Sequence, residues 1–138
     1  MVGVSFGGMV AQELALRHPQ RVSRLVLACT SPGGAGGASF PFHEIEHLKG
    51  EERARHLTPI SDIRRTDEWA AQNPEAYARL IALGAADPYA DEPGHAAGAH
   101  RQLEARALHD TWERLAQIAA PTLVAGGRHD GIARPETL

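Results

Sequence analysis

Two short motifs in this chain have residue types and spacings that could support hydrolysis. Residues 3–7 (GVSFG) fit the pattern G-x-S-x-G, and residues 43–47 (HEIEH) fit the pattern H-E-x-x-H. The first pattern is typical of a nucleophilic serine on a sharp turn between a strand and a helix. The second pattern would place two imidazoles on one helix face, where they could bind zinc beside a glutamate that acts as general base.

The sequence around the serine motif has the elements that its chemistry requires. The apolar residues 1–4 lead into Ser5 like the end of a strand, and Gly7–Arg17 has apolar positions typical of a helix. The apolar run Arg24–Cys29 then predicts a parallel strand that is buried on both faces. A strand, a helix and a second strand in succession are typical of an α/β sheet. This setting favours Ser5 as a nucleophile.

The sequence around the second motif is less favourable to its chemistry. The motif opens a polar segment, and the charged residues that follow it are interrupted by Gly50. No third zinc ligand stands out, although Glu68 remains a candidate. We therefore expect His43 and His47 to lie on a solvated helix face, without a bound metal. A zinc metalloprotease that uses these histidines and Glu44 is the weakest of the alternatives.

The middle of the chain, residues 40–112, is polar and contains no convincing strand. Apolar spacing and the positions of glycine and proline predict four helices there: His43–Leu57, Ile60–Ala71, Pro74–Leu83 and Gly94–Leu108. These helices would form an insertion above the sheet. The apolar residues expected to line a substrate pocket beneath it are Phe40, Phe42, Trp69, Leu80 and Trp112.

A further apolar run near the C-terminus predicts another strand. Pro121–Gly126 has strand-like composition, and the turn Gly127–Gly131 that follows it carries one carboxylate, Asp130. Pro135 is typical of the first position of a helix.

Both ends of the chain resemble known parts of the α/β-hydrolases. Residues 3–13 (GVSFGGMVAQE), with the apolar and basic residues up to position 27, resemble the family's nucleophile elbow, its helix and the next strand. Residues 121–133 resemble the strand and turn that carry the family's acid. The resemblance implies an incomplete α/β-hydrolase fold, with about three parallel strands and a helical cap insertion. It divides the chain into two parts of the core sheet, residues 1–31 and 119–138, and a cap, residues 32–118, between them.

The resemblance also implies roles for individual residues. Ser5 would be the nucleophile, the amide of Phe6 an oxyanion donor, and Asp130 the acid that orients a histidine. In the family the histidine follows the acid, but no histidine follows His129 in this sequence. His129 itself is not expected to be the base, and His109 is expected to be a cap residue.

The function implied is hydrolysis of a small carboxylic ester or lactone through an acyl-enzyme, without a cofactor. Because the histidine is missing, we expect weak or no activity from this chain alone. The main alternative is a truncated, hydrolase-like binding protein with no catalytic activity.

Composition excludes several other classes of protein. The 138 residues carry a net charge of -3 and include one cysteine, which excludes a disulfide framework and a cysteine-rich zinc site. The weakly acidic charge does not suggest a nucleic-acid or membrane partner. We expect a cytoplasmic protein with a small-molecule substrate. Exposed sheet edges would also favour a homodimer.

Overall fold

The fold is built on a parallel sheet of three strands. The computed structural model describes residues 1–138, with strands β1 (Val2–Val4), β2 (Leu25–Ala28) and β3 (Thr122–Ala125) in the spatial order β1-β2-β3. Helix α1 (Phe6–Arg17) connects β1 to β2. The predicted α/β fold with three parallel strands is therefore confirmed.

A helical insertion occupies the chain between β2 and β3. Its helices are α2 (Gly50–Ser61), α3 (Asp67–Gln72), α4 (Pro74–Ala85) and α5 (His95–Ala107). Helices α2 and α4 pack mainly against each other. The expectation of a helical insertion is confirmed. None of the helices in the chain is both long enough and apolar enough to cross a membrane.

Two of the four predicted insertion helices have the wrong boundaries. The predicted helix His43–Leu57 is interrupted, because Phe42–Ile45 forms only a short 3₁₀ turn and α2 begins at Gly50. Gly50 has a φ of 50°, which a continuous right-handed helix does not accommodate. The predicted helix Ile60–Ala71 is also wrong, since α2 continues to Ser61 and α3 begins only at Asp67. The predicted C-terminal helix at Pro135 is a short 3₁₀ turn.

The two faces of the sheet differ in how well they are covered. On one face, Leu25 and Leu27 are buried with side chains of α1, in a cluster that includes Ala11 and Ala15. On the other face, Val2 and Leu123 are 69% and 61% exposed.

We call this second surface the open face. Strand register places six side chains on it: Val2, Val4, Val26, Ala28, Leu123 and Ala125. The prediction that β2 is buried on both faces is therefore wrong, because α1 covers only one of them.

Close packing of α1 against the sheet requires glycine at two positions. A Cβ atom at Gly3 would lie 2.5 Å from the carbonyl oxygen of Gly7 and 2.7 Å from the Cα of Gly8. A Cβ atom at Gly8 would lie 2.6 Å from the side chain of Thr30. At Gly7, by contrast, an added Cβ meets no atom within 4 Å. Glycine at position 3 therefore allows the helix to pack directly on β1, and glycine at position 8 allows it to pack against Thr30, just after β2.

Gly3→Ala should destabilise the chain, because its Cβ would meet backbone atoms of Gly7 and Gly8 and the Cβ of Ala11, none of which can rotate away. We expect the free energy of unfolding to fall by about 1–3 kcal/mol, measured by urea titration with circular dichroism. The matched control is Gly7→Ala, whose added methyl group is unhindered and favours the helix. It should be neutral, or stabilising by up to about 1 kcal/mol. Equal effects of the two substitutions would contradict this account of the turn.

We expect the open face to drive self-association of the chain, and Leu123→Lys to reduce it. The exposed Leu123 side chain contributes little to folding, so its replacement should change the unfolding free energy by less than about 0.5 kcal/mol. Sedimentation velocity measures the association. The control is Leu27→Lys, which places the same charge on the covered face, where Leu27 is 5% exposed. That variant should fail to fold. A wild-type chain that stays monomeric at high concentration would contradict the prediction.

Candidate active site

Ser5 occupies a strained turn between β1 and α1. Its φ and ψ are 51° and −122°, in a region that residues other than glycine rarely adopt. The turn is held at both ends, because the amide of Ser5 donates to the carbonyl of Ala28 at 2.9 Å and its own carbonyl accepts from the amide of Gly8 at 2.8 Å. A serine that precedes a helix usually caps it with its hydroxyl, but the Ser5 side chain makes no such bond. Its hydroxyl is therefore available to a ligand.

The first two amides of α1 are also available. The N–H groups of Phe6 and Gly7 have no acceptor within the chain, whereas the next amide, that of Gly8, bonds to Ser5. Unpaired amides at a helix N-terminus carry a partial positive charge that stabilises an anion. The geometry is thus compatible with the predicted role of the Phe6 amide as an oxyanion donor.

Asp130 lies in the turn that follows β3. One of its carboxylate oxygens, Oδ1, accepts from the amides of Ile132 at 2.8 Å and Ala133 at 3.0 Å. The turn itself is fixed to the end of α2, because the amide of Gly131 donates to the carbonyl of Ile60 at 3.0 Å. Asp130 therefore shapes its own loop with one oxygen, while Oδ2 makes no hydrogen bond within the chain.

Ser5 and Asp130 both follow the carboxyl ends of parallel strands, with β2 between them. Two strand spacings correspond to roughly 10 Å, which is too far for a direct hydrogen bond. A third group would have to connect them. No histidine donates to or accepts from the Ser5 side chain, and the backbone carbonyl of His129 accepts from the amide of Ile63.

The residues expected to line one substrate pocket lie in different places. Phe40 and Phe42 are in edge-to-face contact, with ring centroids 5.2 Å apart, and both line a cavity of about 120 Å³. Met9, one turn into α1 from Ser5, lines the same cavity. Trp112 lines a separate cavity of about 440 Å³. Trp69 lies in α3 and lines neither of these cavities, and the same is true of Leu80 in α4.

A buried polar network that sequence reasoning missed joins α1 to the insertion. The Gln12 amide nitrogen donates to the carbonyl of Ser31 at 3.2 Å, and its oxygen accepts from the hydroxyl of Thr111. The Nε2 atom of His109 lies 3.3 Å from the same oxygen and therefore acts as a donor. Burial lowers the pKa of His109, which favours the neutral imidazole.

An ion pair reinforces this network at the surface of α1. The Glu13 carboxylate accepts from Arg114 at 2.5 and 3.3 Å, and from Arg17 at 2.8 Å. These bonds, chiefly that from Arg114, hold the pKa of Glu13 at about 2. Residues 12 and 13 together thus fix α1 to the segment that leads into β3.

The H-E-x-x-H motif does not adopt the geometry that zinc binding requires. His43 lies in the 3₁₀ turn Phe42–Ile45 and His47 lies beyond it, so the two imidazoles do not share a face of one α-helix. Glu46 contacts His100, with its carboxylate 2.9 Å from Nδ1. In residues 1–138 no group of three or more His, Cys, Asp or Glu side chains is placed to hold a metal ion. The expectation that the motif lies on a helix is therefore wrong.

Comparison with known proteins gives a consistent picture. A hydrolase of 2-hydroxy-6-oxononadienedioate and 2-hydroxy-6-oxononatrienedioate from Paraburkholderia xenovorans (strain LB400) is 34% identical, over 94% of this chain and 45% of that protein. A pimeloyl-[acyl-carrier protein] methyl ester esterase from Nitrosospira multiformis is 29% identical, over 97% of this chain and 51% of that protein. The enol-lactonase structure from Burkholderia xenovorans LB400 superposes with a TM-score of 0.64 at 25% identity, covering 99% of this chain and 49% of that one.

The chain spans about half the length of the curated relatives it matches. The match to the family as a whole is nevertheless continuous, because the family model for the alpha/beta hydrolase fold covers residues 1–138. The arrangement of strands and helices agrees with that match. This chain belongs to the alpha/beta hydrolase family.

Proposed function

We propose that this chain carries the nucleophile and the acid of a hydrolase that cleaves small carboxylic esters or lactones. The observation that carries the proposal is the turn at Ser5, where a free hydroxyl lies beside the unpaired amide of Phe6 at the start of α1. Ser5 attacks the carbonyl carbon of the substrate while a base takes its proton. The amide of Phe6 stabilises the oxyanion, and the base returns the proton to the ester oxygen as its bond to the carbonyl carbon breaks. That oxygen leaves as an alcohol or, in a lactone, remains on the acyl group as a hydroxyl, and water then hydrolyses the acyl-enzyme.

The named activities of the relatives support this substrate class. They include a methyl ester esterase, an enol-lactonase and hydrolases of 2-hydroxy-6-oxo dienedioates. Each of these names describes a hydrolytic reaction, and two of them describe cleavage of an ester or lactone. We carry this class to the present chain only as part of the proposal.

Asp130 is assigned the role of orienting the base. Its Oδ1 is engaged by two backbone amides, so Oδ2 is the oxygen available to accept from an imidazole N–H. The eight histidines of the chain all lie at or before His129, and none contacts the Ser5 hydroxyl. The lack of such a contact favours low activity in the isolated chain, and it is the observation behind the alternative of a non-catalytic binding protein.

A fluorophosphonate reagent tests the nucleophile directly. Incubated in large excess with the 138-residue chain, it should modify Ser5 slowly, and tandem mass spectrometry of the digest should locate the adduct. Ser5→Ala should abolish the modification. Ser23→Ala, at an exposed serine between α1 and β2, should leave it unchanged. If the wild-type chain and the Ser5→Ala variant were labelled equally, Ser5 would not be the nucleophile, and the non-catalytic alternative would be favoured.

Turnover of p-nitrophenyl acetate tests the need for a base. Loss of the base lowers kcat of a triad hydrolase by roughly 10⁴- to 10⁶-fold, so the wild-type chain and Ser5→Ala should differ by less than about tenfold. Initial rates at 400 nm are measured for both proteins at equal concentration. A Ser5-dependent rate about 100-fold or more above that of the variant would show that a base already acts within these residues.

A further inference from the structure

Arg106 of α5 is a partly buried cation that the proposed reaction does not use. Its guanidinium lines the cavity of about 120 Å³, where its Cζ atom lies 4.5 Å from the ring centroid of Phe42. One nitrogen, Nη2, donates to the hydroxyl of Ser39 at 2.6 Å and approaches the carbonyl of Phe40 at 3.5 Å. The other two nitrogens, Nε and Nη1, have no acceptor within the chain.

No carboxylate neutralises this guanidinium. The ion pairs of the chain involve arginines 17, 55, 64 and 114 and two histidines, but not Arg106. No Asp or Glu lines the cavity, whose ionisable side chains are Arg106, His43 and His109. The nearby Asp110 is engaged in its own turn, where it accepts from the amide of Trp112 at 3.1 Å.

The surroundings of Arg106 make an unpaired charge costly. Burial lowers the pKa of Arg106, and no neighbouring charge acts in the opposite direction. A cation that is partly removed from water without a charged partner loses part of its solvation free energy, which an anion bound beside it can offset. The neutral contacts to Ser39 and Phe40 use only part of the donor capacity of the guanidinium, so a purely structural role would leave its other donors unused.

We propose that this cavity binds a carboxylate group of the substrate through Arg106, with Phe40 and Phe42 packed against the adjoining carbon chain. A volume of about 120 Å³ is well below the roughly 300–1,000 Å³ of pockets that enclose a whole ligand. The cavity therefore takes one end of the molecule. Met9, in the helix that Ser5 begins, forms part of its wall. The favoured substrate is then an ester or lactone that carries a second, free carboxylate.

That the anion belongs to an ester or lactone rests on the proposed function, whereas the anion site itself does not. Binding is therefore tested without catalysis, by isothermal titration of the chain with monomethyl glutarate, a carboxylate that also carries an ester. Dimethyl glutarate is the neutral counterpart. Arg106→Gln should weaken binding of the monoester by roughly 10- to 100-fold and leave the neutral diester unchanged.

The matched control is Arg101→Gln, which removes an exposed arginine from the same helix and should not change either affinity. Arg106→Lys retains the charge but loses the planar donor fork, so its affinity should fall between wild type and Arg106→Gln. Circular dichroism establishes that each variant is folded. If Arg106→Gln does not fold, the lysine variant and the comparison of the two esters carry the test.

Three results would overturn the inference: no saturable binding of the monoester, equal affinity for monoester and diester, or unchanged affinity in folded Arg106 variants. Ser5→Ala should bind the monoester as wild type does. If the fluorophosphonate did not modify Ser5 in the wild-type chain, the proposed function would be refuted but the proposed anion site would not. If the wild-type chain did not bind the monoester, the anion site would be refuted but the proposed role of Ser5 would not.

Discussion

The turn at Ser5 is the constraint on which the rest of the arrangement depends. A positive φ at a residue other than glycine costs about 1–3 kcal/mol, and it persists only where surrounding contacts hold it. Here those contacts come from the helix that the turn creates. The turn directs α1 back across β1, where Gly3 lets the backbones touch, and the same helix buries Leu25 and Leu27 of β2. Burial of each of these leucines contributes about 1.5–3 kcal/mol, which is enough to offset the strain.

Helix α1 also holds the segments on either side of the helical insertion. The side chain of Gln12 bonds both the loop after β2, at Ser31, and the segment before β3, at Thr111. The two segments are also joined directly, because the amide of Thr111 donates to the carbonyl of Pro32 at 2.8 Å. Because a buried amide is stable only when its donors and acceptors are paired, this network fixes both segments relative to the helix. One wall of the Arg106 cavity comes from the same helix, at Met9. Ser5 and the Arg106 cavity are therefore positioned by one rigid element, which is the arrangement that the proposed function requires.

The sequence was informative where structure depends on neighbouring residues. The serine turn, α1 and the three strands follow local rules of spacing and backbone conformation, and their prediction is confirmed. The boundaries of the insertion helices were not predictable in the same way, because a polar segment lacks a strong apolar period and the break at Gly50 depends on one backbone angle. The H-E-x-x-H pattern likewise did not predict local structure, because its residues lie in and just after a 3₁₀ turn of the same polar segment.

The polar contacts that shape the candidate site were beyond local reasoning. Gln12 and Thr111 are 99 residues apart, and Arg106 and Ser39 are 67 residues apart. Glutamine, threonine, serine and arginine are common on helices and loops, and no spacing rule pairs them across an insertion. What distinguishes Arg106 is that its partly buried charge forms no ion pair with a carboxylate, which only the folded chain reveals. Hypotheses about substrate class therefore depend on tertiary structure, whereas the hypothesis about the nucleophile did not.

The open face and the Ser5 hydroxyl are both without a partner within these 138 residues. A parallel sheet is normally covered on both faces, and here one face carries exposed Val2 and Leu123. The two groups that are hardest to position are nevertheless fixed by contacts within these residues, Ser5 by its strained turn and Asp130 by two amides. Under the proposed function, these two groups need only a base that contacts both, because the strained turn and the hydrogen-bonded loop that hold them are already formed.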